Sequence, residues 1–189
     1  MKPENILAVD RDGVLYSGRG NMDPDKQRYA RDTDKRSLAD IMVGADVFLG
    51  LSAGGVLKPD MVATMADKPV ILALANPYPE ILPEDAKAVR PDCIIATGRS
   101  DYPNQVNNVL CFPYLFRGAL DVGATAINEE MKVAAVNAIR ELAKEPVPQE
   151  ICEAYGVESF EFGKEYIIPK PMDVRLLEVV PAAVARAAV

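Results

Sequence analysis

Four short apolar runs punctuate the first half of this 189-residue chain. They are residues 6–9 (ILAV), 46–52 (DVFLGLS), 70–75 (VILALA) and 93–96 (CIIA), and each stops at polar or glycine-rich residues. Helix-like stretches separate them. Ser37 is placed to cap a helix through Val43, Lys58-Pro59-Asp60 opens one to Met65, and Pro83 occupies the first turn of one reaching Val89. Short strands that are apolar along their length, alternating with helices, predict an α/β fold: a parallel sheet with helices on both faces. In such sheets ligands sit beyond the carboxyl ends of the strands. Those ends here are Asp10, Ser52-Ala53-Gly54-Gly55, Asn76 and Thr97-Gly98.

The fourth end leads into an amide-rich stretch, in which Asn104, Gln105, Asn107 and Asn108 fall within five residues before the mostly apolar run Val109–Leu115. An amide offers donors and an acceptor without carrying charge, so it can hold a carboxamide, a hydroxyl or a carboxylate at any ordinary pH. Asparagine is also a common turn residue that satisfies its own backbone. Both readings stand for these residues, with Asn104 expected on the solvent side of the turn. Further on, Asn128 caps the clearest helix, to Lys144, whose apolar stripe reads as packing. Pro146 and Pro148 mark a linker. Asp173 is expected to cap a helix through Val180, and Pro181 to kink or restart it. Residues 22–35 read as a surface loop with about two helical turns.

Composition removes whole classes of function. The chain has no histidine, which excludes nucleophile systems and zinc sites within it that depend on imidazole. Its formal net charge of −7 argues against nucleic acid or a membrane surface as partner. No apolar run approaches the ~20 residues of a membrane span. Three dispersed cysteines and no CxxC suggest buried free thiols and a cytoplasmic location.

A sheet of this kind usually opens with a strand, a glycine-rich turn and a helix that holds a pyrophosphate. Here Gly18-Arg19-Gly20 lacks the third spaced glycine and follows no buried strand. Asp10 nevertheless stands where an acidic residue meets a ribose hydroxyl, at the end of the second strand of such a fold. An ordinary turn aspartate in Asp-Arg-Asp-Gly is the alternative.

The segments VDRDGVLYSGR, MDPDKQRYARDTDKRSLAD, GADVFLGLSAGGVLKPDMV, LALANPYPEI and IIATGRSDYPNQVNNVLCFPYLFRGALDVGATAINEEMKVAA resemble bacterial malic enzyme. The resemblance runs from about residue 5 to 145, and the tail IIPKPMDVRLL is also similar. It is nearest to the large bacterial form, in which a phosphotransacetylase-like domain follows. It implies a Rossmann-type domain lacking its first strand and glycine-rich turn, with residues 1–145 a partial NAD(P)-binding domain and 146–189 a segment packing on it.

The family converts malate to pyruvate and carbon dioxide with reduction of NAD or NADP, using Mg²⁺ or Mn²⁺. By resemblance, Asn76 meets the nicotinamide end of the cofactor and malate, Asn107 the nicotinamide, and Asn108 the substrate. Leu51 and Ser52 match the wall beside the cofactor ribose, and Asp10 the position near the adenosine ribose. Arg11 could pair with a 2′-phosphate or be a solvated turn residue. The family's catalytic tyrosine and lysine and its metal ligands match no position in this segment, so the chain is expected to orient cofactor and substrate and to be inactive alone. A homo-oligomer is expected. The competing class is a non-catalytic module of the same fold used for assembly or nucleotide sensing.

Overall fold

The computed structural model describes residues 2–188. It contains two compact units, Met1–Ile95 and Ala96–Val189.

In the first unit, β1 (Val9–Asp10) and β2 (Gly13–Val14) form an antiparallel hairpin, with Val9 opposite Val14. The run at residues 6–9 was expected to be a strand of the parallel sheet, and it is not. Asp12-Gly13 turns the chain immediately after Asp10, and the backbone N–H of Asp12 donates to Asp10 Oδ1 at 3.0 Å. The chain therefore pairs with its own return arm. Helix α1 (Pro24–Gln27) is a single turn, started by Asp23, which accepts from the Lys26 N–H; this is half the helix expected there.

The parallel sheet comes from the other three runs: β3 (Val47–Gly50), β4 (Val70–Ala73) and β5 (Ile94–Thr97), in the order β3-β4-β5. Strands β3 and β4 run parallel with Val47 beside Val70 and Gly50 beside Ala73. The connecting helices are α2 (Leu38–Met42), α3 (Pro59–Ala63) and α4 (Pro83–Val89). A reciprocal capping box between Ser37 and Asp40 starts α2, and prolines start α3 and α4. Side chains alternate along a strand, so Phe48, Ile71 and Ala73 point into a core shared with Met42, Val62 and Ala86 of the three helices. The alternate residues Val47 and Leu49 are exposed.

The second unit is helical apart from the strand end at Thr97. A short 3₁₀ turn, Asn108–Leu110, leads into α5 (Phe112–Asp121), followed by α6 (Glu129–Leu142), α7 (Gln149–Ala154) and α8 (Leu176–Ala187). The apolar run after the asparagines is thus the start of an amphipathic helix: Phe112, Phe116 and Leu120 recur every four residues and are exposed, while Ala119 is buried. Asn128 caps α6 as expected, its Oδ1 accepting from the Met131 N–H at 2.9 Å. The helix starts at Leu176 with Arg175, not Asp173, at its N-cap. The buried Asp173 carboxylate accepts from Arg175 twice over, from the backbone N–H at 3.1 Å and from Nη2 at 2.6 Å.

Pro181 lies inside α8 without ending it. A proline there removes one backbone donor. Val180, Pro181 and Val184 are all buried, in a core with Ala119, Met131 and Ala135, and that packing outweighs the loss. Cys93 and Cys152 are buried, whereas Cys111 is only half-buried and burial pushes its thiol up. Among the described residues no helix is long and apolar enough to cross a membrane.

The crossing of α5 and α8 depends on Gly118. A Cβ at that position would lie 2.5 Å from the Pro181 carbonyl oxygen and 2.8 Å from Val184 Cβ. Gly118→Ala is expected to lower stability by about 1–3 kcal/mol through overpacking, read as a fall in the urea midpoint. An unchanged midpoint would show that α8 can shift away from α5 at no cost.

Candidate functional site

Sheet hydrogen bonding between β3 and β4 ends with the Leu74 N–H donating to the Gly50 carbonyl at 3.1 Å. Past that point the two chains need other partners, since a buried N–H without an acceptor is costly. One side chain serves both. Glu80, fully buried, accepts from the Ser52 N–H through Oε1 at 2.9 Å and from the Ala75 N–H through Oε2 at 3.0 Å. The carboxylate reaches this position because residue 50 has no side chain: a Cβ on Gly50 would lie 2.3 Å from Glu80 Cδ. The loops that follow are joined again, by Gly55 N–H to Pro79 O and Leu57 N–H to Glu80 O, both 3.0 Å. The Asn76–Pro77 peptide is cis.

These joined loops shape a cleft of about 620 Å³ lined by Gly54, Lys58, Asn76, Tyr78, Glu80 and Asp85, among others. Asn76 is exposed, and so are Leu51 and Ser52 at the tip of β3. The Glu80 carboxylate thus brings together the chain ends carrying three predicted site residues, although only Asn76 of the three lines the cleft. Lys58 Nζ donates to the Gly55 carbonyl at 2.6 Å. Sequence reading did not single out Glu80. Two signals were available: a glycine inside the apolar run VFLGLS, which marks a close approach, and an acid embedded between Pro79 and Ile81-Leu82.

Asp10 is held differently. Arg19 Nη2 contacts both carboxylate oxygens, at 2.8 and 3.0 Å, and Lys26 Nζ donates to Oδ2 at 2.8 Å. Burial pushes the carboxyl up, but the hydrogen bonds from Lys26, Arg19 and the Asp12 N–H outweigh it and hold it at about 2. Asp10 is therefore a charged carboxylate tied into its own hairpin. The Arg11 side chain is 94% exposed, 3.9 Å from Asp12.

In the second unit the amide residues divide into two kinds. Asn104, expected at the solvent side, is only 2% exposed. Its Nδ2 donates to the Lys164 carbonyl at 2.6 Å and its Oδ1 accepts from the Ile167 N–H at 3.0 Å. The reason is the tail, whose distant backbone no local pattern could place beside residue 104. Asn107 and Asn108 are exposed. Asn107 Oδ1 accepts from the Val109 N–H at 3.0 Å and starts the 3₁₀ turn. Asn108 is the first residue of that turn.

Residues 2–153 match the family described as "Malic enzyme, NAD binding domain". The chain belongs to the malic enzyme family. It is 59% identical over its whole length to the NADP-dependent malic enzyme of Halomonas elongata and 60% identical to that of Escherichia coli, spanning 44% and 25% of those proteins. An NAD-dependent malic enzyme of Rhizobium meliloti is 59% identical over 98% of the chain. The solved structure of the NAD-dependent malic enzyme from Thermotoga maritima superimposes with a TM-score of 0.80 at 37% identity, over 96% of this chain and 45% of that one. The chain thus spans between about a quarter and just under half of the curated relatives it matches. Its fold is the Rossmann-like α/β fold of that family.

A nicotinamide dinucleotide fits what the first unit offers: a cleft at the carboxyl ends of β3 and β4, an exposed amide at its wall and a glycine pair where backbone can approach a ligand. A divalent metal does not find such a fit. Among the described residues no three His, Cys, Asp or Glu side chains are grouped to hold one.

Removing Glu80 strands two N–H groups, at about 1–3 kcal/mol each when buried. Glu80→Ala is expected to lower the unfolding free energy accordingly, and Glu80→Gln by about half as much, because its NH₂ faces one of the two donors. Urea titrations would read this; a Glu80→Gln variant as stable as wild type would mean that one acceptor oxygen suffices.

Proposed function

We propose that this segment is the part of a malic enzyme that orients cofactor and substrate in the oxidative decarboxylation of malate to pyruvate and carbon dioxide, with reduction of NAD or NADP. The observation that carries the reading is the pair of strand ends held by Glu80, which presents Asn76 at the wall of a cleft in a chain that matches the family's NAD-binding domain. The nicotinamide, when bound, accepts hydride from the carbinol carbon of malate. The contribution of this chain is position. Asn76 and Asn107 are assigned to the nicotinamide end of the cofactor, Asn76 and Asn108 to the substrate, and Leu51 and Ser52 to the ribose wall. Uncharged amides suit that work, since they fix a carboxamide or hydroxyl without titrating as the ketoacid forms. Asp10, held ionised by Arg19 and Lys26, is assigned to the adenosine ribose; a ribose hydroxyl would donate to an oxygen that already accepts from these cations.

The resemblance also implies Mg²⁺ or Mn²⁺ and a catalytic tyrosine and lysine, all supplied from outside this segment. The isolated segment is accordingly expected to be inactive. The same reading assigns residues 1–145 to the cofactor domain and 146–189 to a segment packed on it, supported by the contact of α8 with α5 and α6. A cytoplasmic homo-oligomer acting on malate, without nucleic-acid or membrane partners, completes the proposal.

The test is Asn108→Ala in the intact protein that carries this segment. Loss of a substrate-directed hydrogen bond should cost about 1–3 kcal/mol, or roughly ten- to a hundredfold in kcat/KM, with the unfolding midpoint nearly unchanged. A normal kcat/KM with a lowered midpoint would identify Asn108 as a turn residue only.

A further inference from the structure

The family match ends at residue 153, yet the residues beyond it grip the amide loop. We propose that the tail 155–170 is a brace that sets the conformation of residues 103–108, with Lys170 and Asn104 as positioning residues for Asn107 and Asn108. The inference rests on the proposed role of those two asparagines.

Three tail contacts converge on two consecutive loop residues. The backbone N–H and carbonyl groups of Gly163 and Tyr166 bond to each other, at 3.2 and 3.0 Å, closing a tight turn. That turn, with the residue after it, offers the Lys164 carbonyl and the Ile167 N–H to the two ends of the Asn104 amide. An amide is the side chain that answers a carbonyl and an N–H at once. Lys170 Nζ donates to the carbonyl of the preceding residue, Pro103. The loop is also anchored on its other side, by Thr97 N–H to Asn104 O at 3.0 Å and Val106 N–H to Thr97 O at 2.8 Å. Only two residues, Gln105 and Val106, then separate the clamped Asn104 from Asn107, whose side chain starts the turn into α5.

Lys170 is a costly way to hold one carbonyl. It is only 7% exposed, and burial pushes its ammonium below the ordinary lysine value. Its charge is met by aromatic faces, with Nζ 4.9 Å from the Phe160 ring centre and 5.5 Å from that of Tyr155. Phe160 in turn stacks on Tyr166 at 5.0 Å and meets Tyr155 edge-on at 5.9 Å. A buried cation set against two rings and aimed at one backbone oxygen fixes that oxygen in place. A tail that merely covered apolar surface would need no charge there.

The test is a double-mutant cycle in the intact protein, with Lys170→Met, which keeps the apolar stem, and Asn108→Ala. If the brace acts through Asn108, Lys170→Met alone lowers kcat/KM by about ten- to a hundredfold, and adds little when Asn108 is already alanine. Hydrogen exchange over residues 103–110 should be faster in Lys170→Met than in wild type. Additive losses, a wild-type kcat/KM for Lys170→Met, or unchanged exchange in the loop would each overturn the brace. Asn104→Asp, which lacks the donor to Lys164, repeats the measurement should Lys170→Met fail to fold. If Asn108→Ala alone has normal kcat/KM, the proposed function fails, and the exchange measurement still decides the brace.

Discussion

Two backbone N–H groups at the ends of adjacent parallel strands lie beyond the sheet's own hydrogen bonds, and one buried carboxylate accepts from both. That interaction between Glu80, Ser52 and Ala75 determines much of what the first unit can do. It is possible only because Gly50 leaves room for it, and it fixes where the chain turns outward into the loops that carry Ser52 and Asn76. Because each acceptor oxygen serves a different strand, the two tips cannot drift apart without leaving a polar group unpaired. A cofactor site built on such tips is prepared before the ligand arrives, which is where orientation gains its catalytic value.

The second unit solves a similar problem by other means. Its amide loop has no sheet to extend, so it is held by side chains reaching from far along the sequence. Asn104 and Lys170 are polar groups buried in the service of the loop, and Asn107 starts the helix that follows. In both units the buried polar side chains sit beneath the exposed ones that are assigned to ligands. The two layers differ in how substitution should be felt: the lower through shape and stability, the upper through turnover alone.

The sequence made the sheet legible because three of the four apolar runs behave as their pattern dictates. Helices α2, α4 and α6 were legible because their caps are local, with Ser37, Pro83 and Asn128 all acting within a few residues of themselves. The first run failed as a sheet strand because Asp12-Gly13 offered it a nearer partner than any distant strand. Asp173 misses the N-cap by two residues, its carboxylate accepting from both the backbone and the guanidinium of Arg175, which holds that position. Pro181 failed as a breaker because burial between helices outweighed one lost donor. Of the site, the exposed amides were visible as a cluster, while the residues beneath them were not. Glu80 reaches a residue 28 positions away and Asn104 residues 60 and 63 positions away, and no periodicity reports such pairings. The family resemblance supplied what local pattern could not, namely a proposal for which amides meet a ligand.

The central claim is that the exposed amides above these two supports meet the nicotinamide cofactor and its substrate. A structure of the intact protein with oxidised cofactor and a non-reactive malate analogue tests it directly. The account predicts the Asn76 and Asn107 side chains within about 3 Å of the nicotinamide carboxamide or ribose, and Asn108 at a similar distance from the analogue. A cofactor bound elsewhere, or one bound with these amides turned into solvent, would contradict it.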